Sequence, residues 1–229
     1  MASSISSTSV SESRPAASPL LLRIGFWLCI VIAVAVVIRR VLALAYPPRS
    51  APATMAGLDQ AFASHTALTL AHILPALAFV LIAPFVVFRK SLSASWAGTS
   101  WAERAIYPLG LVVGLTAYAM STYSVGGWVE RSAVLLFDTL FLFSLLRAWL
   151  NRRRNNPIQA RRWILRAIVV LLGIATTRPV MGVFFATASR THLTASQFFG
   201  LAFWIGFSIN AIVIEMWLRS GRWKARLTA

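Results

Sequence analysis

The sequence predicts an all-α polytopic membrane protein, a bundle of six transmembrane helices. Of its 229 residues, 58% are hydrophobic and only 12% are charged, and the mean hydropathy is +0.72. A soluble domain carries about 25% charged residues. Several apolar runs reach about 20 residues, the length that crosses the hydrocarbon core as a helix. The composition therefore indicates a chain folded in a membrane.

The balance of charged and metal-binding residues excludes several classes of function. The net charge of +16 does not indicate nucleic-acid binding, because the cations cluster at the ends of apolar runs, where membrane lipid headgroups are the expected partners. Cys29 is the single cysteine, which excludes an intramolecular disulfide and a thiol-ligated metal site within one chain. Three histidines and six carboxylates predict no metal centre. No GxSxG, Walker, HExxH or CxxC motif occurs, so no catalytic residue is assigned and a non-enzyme is favoured.

The chain divides into three parts. Residues 1–19 are rich in Ser, Ala and Pro and predict a disordered cytoplasmic tail. Residues 20–218 form the membrane domain, and residues 219–229 form a basic cytoplasmic tail. The domain holds six predicted helices, at 20–38 (extending towards Tyr46), 62–88, 105–123, 132–150, 163–185 and 196–218.

The distribution of Lys and Arg predicts the orientation. With both termini on one side, 16 of the 22 cations lie on that side, five on the other, and Arg178 lies within the fifth helix. The loop between the fourth and fifth helices is the most basic. The positive-inside rule then places both termini in the cytoplasm of a bacterial cell, with the chain crossing the inner membrane several times.

Polar residues at one depth define a candidate ligand site. At 1.5 Å per residue, Arg178 and Asp138 each lie ~10 Å below the outer ends of their predicted helices, His72 ~13 Å and Tyr118 ~8 Å. Thr177 adjoins Arg178. These five side chains are predicted to line a pocket in the outer half of the bundle.

Two interpretations of the charged pair stay open. An intramembrane Asp138–Arg178 ion pair would order two adjacent helices, whereas a ligand, ion or proton site would use the same charges for function. At the inner end of the last helix, Glu215 and Arg219 are spaced to form a local pair. Asn210 is expected to make a hydrogen bond between helices.

A stripe of small residues marks the third predicted helix. Gly110 and Gly114 form a GxxxG motif, which allows close packing of a neighbouring helix. The stripe is also a candidate oligomer contact.

The stretch from the basic loop into the fifth helix resembles a bacterial membrane-protein family named domain of unknown function 2306, of which this chain would be a divergent member. The family has an H-R-R-W-M-I-R-like helix entry and a later T-L-R-like triplet. The similar residues here are Arg161-Arg162-Trp163-Ile164-Leu165-Arg166 and Thr176-Thr177-Arg178, together with His72-Ile73, Ala83-Pro84 and Gly126-Gly127. The first histidine of the entry motif is Ala160 in this chain. The resemblance implies the helical architecture.

Three hypotheses of function follow. The first is an integral membrane protein with a polar small-molecule, lipid or proton site in the outer half of the bundle. The second is a b-type haem or other redox protein, which is disfavoured because haem ligation needs histidines on facing helices and His65 and His72 share one helix. The third is a membrane scaffold or assembly subunit that uses the small-residue stripe.

Overall fold

The computed structural model describes residues 19–46, 62–89, 99–192 and 194–221. Almost all of the predicted N-terminal tail, and most of the basic C-terminal tail, lie outside these residues. The described residues form seven α-helices, which are α1 (Pro19–Ala45), α2 (Thr66–Val87), α3 (Trp101–Ser121), α4 (Gly127–Arg153), α5 (Pro157–Leu171), α6 (Gly173–Thr191) and α7 (Ala195–Arg219). Five stretches are long and apolar enough to cross a membrane: α1, α2, α4, α7 and the α5–α6 stretch, which counts as one. The chain is a helical, multi-pass membrane protein.

Several helices begin earlier than the apolar pattern predicts, because polar residues cap them. Ser100 Oγ accepts a hydrogen bond from the Glu103 amide (3.2 Å) at the start of α3. Asn156 caps α5, which has Pro157 in its first turn. Side chains that accept from free amides in this way stabilise a helix start by about 1 kcal/mol. The caps lie in polar sequence, so hydropathy alone does not locate them.

The prediction of an unbroken fifth helix is wrong at one position. A tight turn at Leu172 (ψ −8°) separates α5 from α6. The last carbonyls of a helix lack donors within it, and Asn210 of α7 supplies one of them, since its Nδ2 donates to the Val169 carbonyl (2.9 Å). Asn210 Oδ1 also accepts from Thr176 Oγ1 (2.8 Å). The predicted interhelical role of Asn210 is therefore confirmed, and it bridges the two sides of the break.

The break separates two packing environments. We define the proximal end of the bundle as the end with the α4–α5 turn at residues 154–156, and the distal end as the one with the α3–α4 turn at residues 122–126. α5 packs against α4, α7 and α2, whereas α6 packs against α7 and α1. Around the bundle, α1, α2, α3, α4, α7 and α6 follow one another in a closed ring of contacts. The proximal half is filled by α5, and the distal half encloses space between the six helices.

A buried charge pair lies at the proximal end. Arg152 is 2% exposed, and its Nε donates to Glu103 Oε1 (2.8 Å), which also accepts from the Tyr107 hydroxyl (3.5 Å). Sequence analysis placed Arg152 among the loop cations that contact lipid, and that interpretation is wrong because its partner, 49 residues away, cannot be found from local pattern. The pair links α3 to α4.

Two arginines of α5 bond to the ends of neighbouring helices. Arg161 donates to the carbonyls of Val86 (2.6 Å) and Val87 (2.7 Å), the last residues of α2. These carbonyls have no donors within α2, and a cation there also favours the helix dipole. Arg166 pairs with Glu215 of α7. The prediction that Glu215 pairs locally with Arg219 is wrong, because the Glu215 carboxylate accepts hydrogen bonds from Arg166 of α5 instead.

The small-residue stripe of α3 packs within the chain. A Cβ at Gly110 would collide with the side chain of Leu145 of α4, and one at Gly114 would lie 2.5 Å from Leu142 of α4. The two glycines therefore allow α3 and α4 to approach closely, as the motif predicts.

Candidate functional site

The distal half of the bundle contains a cavity of about 500 Å³. Its wall comes from all six helices of the ring and from the α3–α4 turn. Most of the wall is apolar, with phenylalanines from α4, α6 and α7. A volume of 300–1,000 Å³ with a few polar groups on an apolar wall is typical of small-molecule sites.

Three of the five predicted site residues, His72, Asp138 and Arg178, line this cavity. Asp138 lies eleven residues into α4, and Arg178 lies thirteen residues before the end of α6. Both helices extend further at the distal end than predicted, so the two residues lie deeper along their helices than the expected ~10 Å. They remain at similar levels, because they lie eleven and thirteen residues from the distal ends of two antiparallel helices.

His72 is held in one orientation by α3. Its Nδ1 lies 3.0 Å from Thr116 Oγ1, and that hydroxyl also donates to the carbonyls of its own helix at Val112 (2.7 Å) and Val113 (3.0 Å). Because the threonine proton is directed to the carbonyls, Nδ1–H of His72 is the donor to the hydroxyl. The imidazole is therefore in the tautomer that keeps its lone pair on Nε2.

Asp138 contributes an unsatisfied carboxylate. Its Oδ2 is buried and has no hydrogen-bond partner among the described residues. A buried carboxylate oxygen without a partner is costly, since burial removes its solvation without replacing it. This oxygen can accept a proton or a donor from a ligand.

Arg178 likewise forms no ion pair with a carboxylate among the described residues. Its Nε is buried and unbonded within the described part of the chain, and its Nη1 points to Met181 Sδ at 3.7 Å. A thioether is a weak acceptor, so Nε and Nη1 have no strong acceptor among the described residues. No ion pair joins Arg178 to Asp138 among the described residues.

Sequence analysis missed further charged residues on the cavity wall. Arg39 and Arg40 of α1 and Glu130 of α4 line it, and all three are electrostatic neighbours of Arg178. Glu130 Oε2 accepts from the Gly126 amide at 2.6 Å, which anchors the carboxylate to the α3–α4 turn. Arg39 and Arg40 reach the cavity because α1 packs beside α6, a contact that no local pattern in the sequence predicts.

Aromatic residues border the distal part of the cavity. His65, the N-cap residue of α2, lies against Tyr123 with ring centroids 3.7 Å apart. The guanidinium of Arg40 lies 3.9 Å from the centroid of Phe62. These contacts bring the start of α2 against the end of α1 and the α3–α4 turn, at the distal limit of the cavity.

Tyr118 and Thr177 are placed elsewhere. The Tyr118 hydroxyl bonds Thr139 Oγ1 (2.6 Å) on the exposed side of the α3–α4 contact. Thr177 is fully buried, and its hydroxyl donates to the Ile174 carbonyl of its own helix (2.7 Å). Neither belongs to the cavity wall, because successive helix residues point in directions about 100° apart. Thr177 adjoins Arg178 in sequence yet faces α7.

The distribution of histidines limits what the cavity can hold. His65 and His72 both lie in the α2 segment, seven residues apart, so they cannot ligate one haem from opposite faces. Within the described ranges, no group of three or more His, Cys, Asp or Glu side chains could hold a metal ion.

Comparison with known proteins yields no relative. No family model, no curated protein and no solved structure matches this chain.

Proposed function

We propose that this chain is a six-span protein of the bacterial inner membrane that binds a small amphiphilic molecule in its distal cavity. The observation that carries the proposal is the combination of an apolar cavity of about 500 Å³ with ionisable side chains on its wall. Charged groups at membrane depth cost about 2.5–3.5 kcal/mol each on insertion scales, and they commonly mark a ligand or ion pathway. Asp138 and Arg178 do not pair with each other. Asp138 Oδ2 and Arg178 Nε are buried and have no hydrogen-bond partner among the described residues.

The sixth span in this proposal is α3. Its two charged residues, Glu103 and Arg104, lie in its first turn, and the remainder is mostly apolar. With 21 residues, α3 is ~31 Å long, which matches the hydrocarbon core. It packs between α2 and α4, both apolar spans, and antiparallel neighbours of similar length cross the membrane together.

The proposed orientation places the proximal end in the cytoplasm. The proximal turn contains Arg152–Arg154, and the first turns of α5 add Arg161 and Arg162. This concentration of cations is what the positive-inside rule associates with cytoplasmic loops. The cavity then opens in the outer half of the membrane.

Membership of the family domain of unknown function 2306 is part of the proposal. Of the residues that carry the resemblance, His72, Ile73 and Arg178 lie on the cavity wall. Gly126 and Gly127 lie where the α3–α4 turn meets α4, and Gly127 has φ +61°, a conformation that favours glycine. The basic motif at Arg161–Arg166 lies away from the cavity, so the resemblance supports the ligand site only through His72, Ile73 and Arg178.

The test is to fill the cavity. Ala117 of α3 lines the cavity, whereas Ala119, two residues further, is exposed on the opposite side. Binding of the neutral fluorescent amphiphile prodan is measured with protein in nanodiscs, with empty nanodiscs subtracted. We expect saturable binding to the wild type and to Ala119→Phe, and its loss in Ala117→Phe. Equal binding to both variants would overturn the proposed site.

A further inference from the structure

The charges on the cavity wall are unevenly placed. Arg178 lies on α6, and Arg39 and Arg40 of α1 are its electrostatic neighbours. Among the described residues, Glu130 is the one carboxylate that interacts with its charge. Glu130 is itself engaged by the Gly126 amide. The electrostatic environment of Arg178 is therefore dominated by cations, and it favours an anion beside the guanidinium.

The donors of Arg178 suit an oxyanion in particular. Its buried Nε has no acceptor among the described residues, and Nη1 has only the Met181 sulfur. A guanidinium presents parallel N–H donors that match the two oxygens of a carboxylate or phosphate. An anionic headgroup would supply the acceptors that the surrounding helices do not.

The wall beyond Arg178 is built for a hydrocarbon chain. Phe137 and Phe141 of α4 and Phe199, Phe203 and Phe207 of the adjacent helix α7 line the cavity, and Phe137 stacks on Phe207 with centroids 5.3 Å apart. These rings offer an oxyanion no donors. A ligand that uses both regions must carry its charge at one end and an apolar body at the other.

Resting on the proposed function, we propose that the ligand is an anionic single-chain amphiphile, with a carboxylate or phosphate head on Arg178 and its chain among the phenylalanines. Asp138 lines the same cavity but is not among the charge neighbours of Arg178, so the head is assigned to Arg178 alone.

The experiment compares three ligands with one chain and different heads. Native mass spectrometry of the full chain, released from detergent, counts bound oleate, oleyl phosphate and oleyl alcohol. The anions are expected to bind about 10- to 100-fold more tightly than the alcohol, the range given by charge-assisted hydrogen bonds. Whichever anion binds more tightly identifies the head as carboxylate or phosphate.

Variants assign the preference to Arg178. Arg178→Gln is expected to remove the difference between anion and alcohol while the alcohol still binds, and Arg178→Lys retains most of it. Arg190→Gln, an exposed arginine near the end of the same helix, is the matched control and leaves the preference unchanged.

The outcomes separate this inference from the proposed function. If all three ligands bind equally and Ala117→Phe removes them, the cavity is a ligand site but the anionic headgroup is overturned. If none binds to the wild type under conditions where the protein is folded, both proposals fail. If Arg190→Gln removes the preference as fully as Arg178→Gln does, the charge acts from the surface and the assignment to Arg178 is overturned.

Discussion

Asp138 and Arg178 line one cavity from two helices, α4 and α6, without forming an ion pair. The two helices are separated in the ring by α7, whose phenylalanines lie on the wall between them. A structural ion pair between helices would couple the two side chains energetically. Here each charge faces the cavity instead, which favours the proposed binding site over a structural ion pair.

The first prediction is that the effects of Asp138→Asn and Arg178→Gln on stability add. Without a direct contact, the coupling free energy in a double-mutant cycle should stay within about 0.5 kcal/mol. Unfolding in mixed micelles of dodecyl maltoside and sodium dodecyl sulfate measures the four proteins. A coupling above about 1 kcal/mol, with the double variant rescued, would show that the pair is structural after all.

The second prediction concerns the buried pair at the proximal end. Arg152→Ala leaves the Glu103 carboxylate uncompensated, and should cost about 3–5 kcal/mol of unfolding free energy. The double variant Arg152→Met with Glu103→Gln should recover most of that loss, because no buried charge then remains. Arg154→Ala, at the exposed C-cap of the same helix, is the control and should change stability by less than about 0.5 kcal/mol.

The same arginines show how far sequence reasoning extends. Among the described residues, hydropathy and charge located the helix ends to within about six residues, apart from the break at Leu172, because the membrane imposes length and apolarity on each span. The pattern treats the arginines of the α4–α5 region alike, as loop cations. Arg152 and Arg161 are buried instead, and their partners Glu103 and Val86 come from distant helices.

Part of the candidate site could also be predicted from the sequence. Arithmetic along a helix gives depth but not direction, so it found His72, Asp138 and Arg178 at one level. It also included Tyr118 and Thr177, which point away from the cavity. The direction of a side chain depends on how neighbouring helices pack, and that information lies in no single stretch of sequence.

The third prediction tests the packing of α6 on α7. A Cβ at Gly206 would lie 2.7 Å from the Thr177 amide nitrogen and 2.9 Å from its Cα, and neither backbone atom can move aside cheaply. Gly206→Ala should therefore cost about 1–3 kcal/mol, as overpacking typically does. Gly25→Ala on α1, where nothing lies within 4 Å, should be neutral or stabilising by up to about 1 kcal/mol. Equal stability of the two variants would contradict the close α6–α7 contact.

The fourth prediction tests orientation by labelling. In a Cys29→Ala background, a single cysteine replaces Ser124 in the distal turn or Asn155 in the proximal turn. With the proximal end in the cytoplasm, a membrane-impermeant maleimide should label Ser124→Cys in intact cells and Asn155→Cys only after the membrane is opened. Labelling of Asn155→Cys in intact cells would invert the proposed topology.

The last prediction uses the native cysteine to test the position of α1. Cys29 Sγ lies 3.8 Å from Thr176 Oγ1, so Thr176→Cys brings two thiols together across the α1–α6 contact that closes the ring. Oxidation should form a disulfide, because Cys29 Sγ already lies 3.8 Å from the side-chain oxygen that the new thiol would replace. A disulfide needs its two Cβ atoms about 3.5–4.5 Å apart. The bond is detected by protease cleavage between the two helices followed by non-reducing electrophoresis. Thr177→Cys is the control, since that side chain faces Gly206 on α7 and should stay reduced. If both variants crosslink equally, α1 does not hold the place in the ring that encloses the cavity.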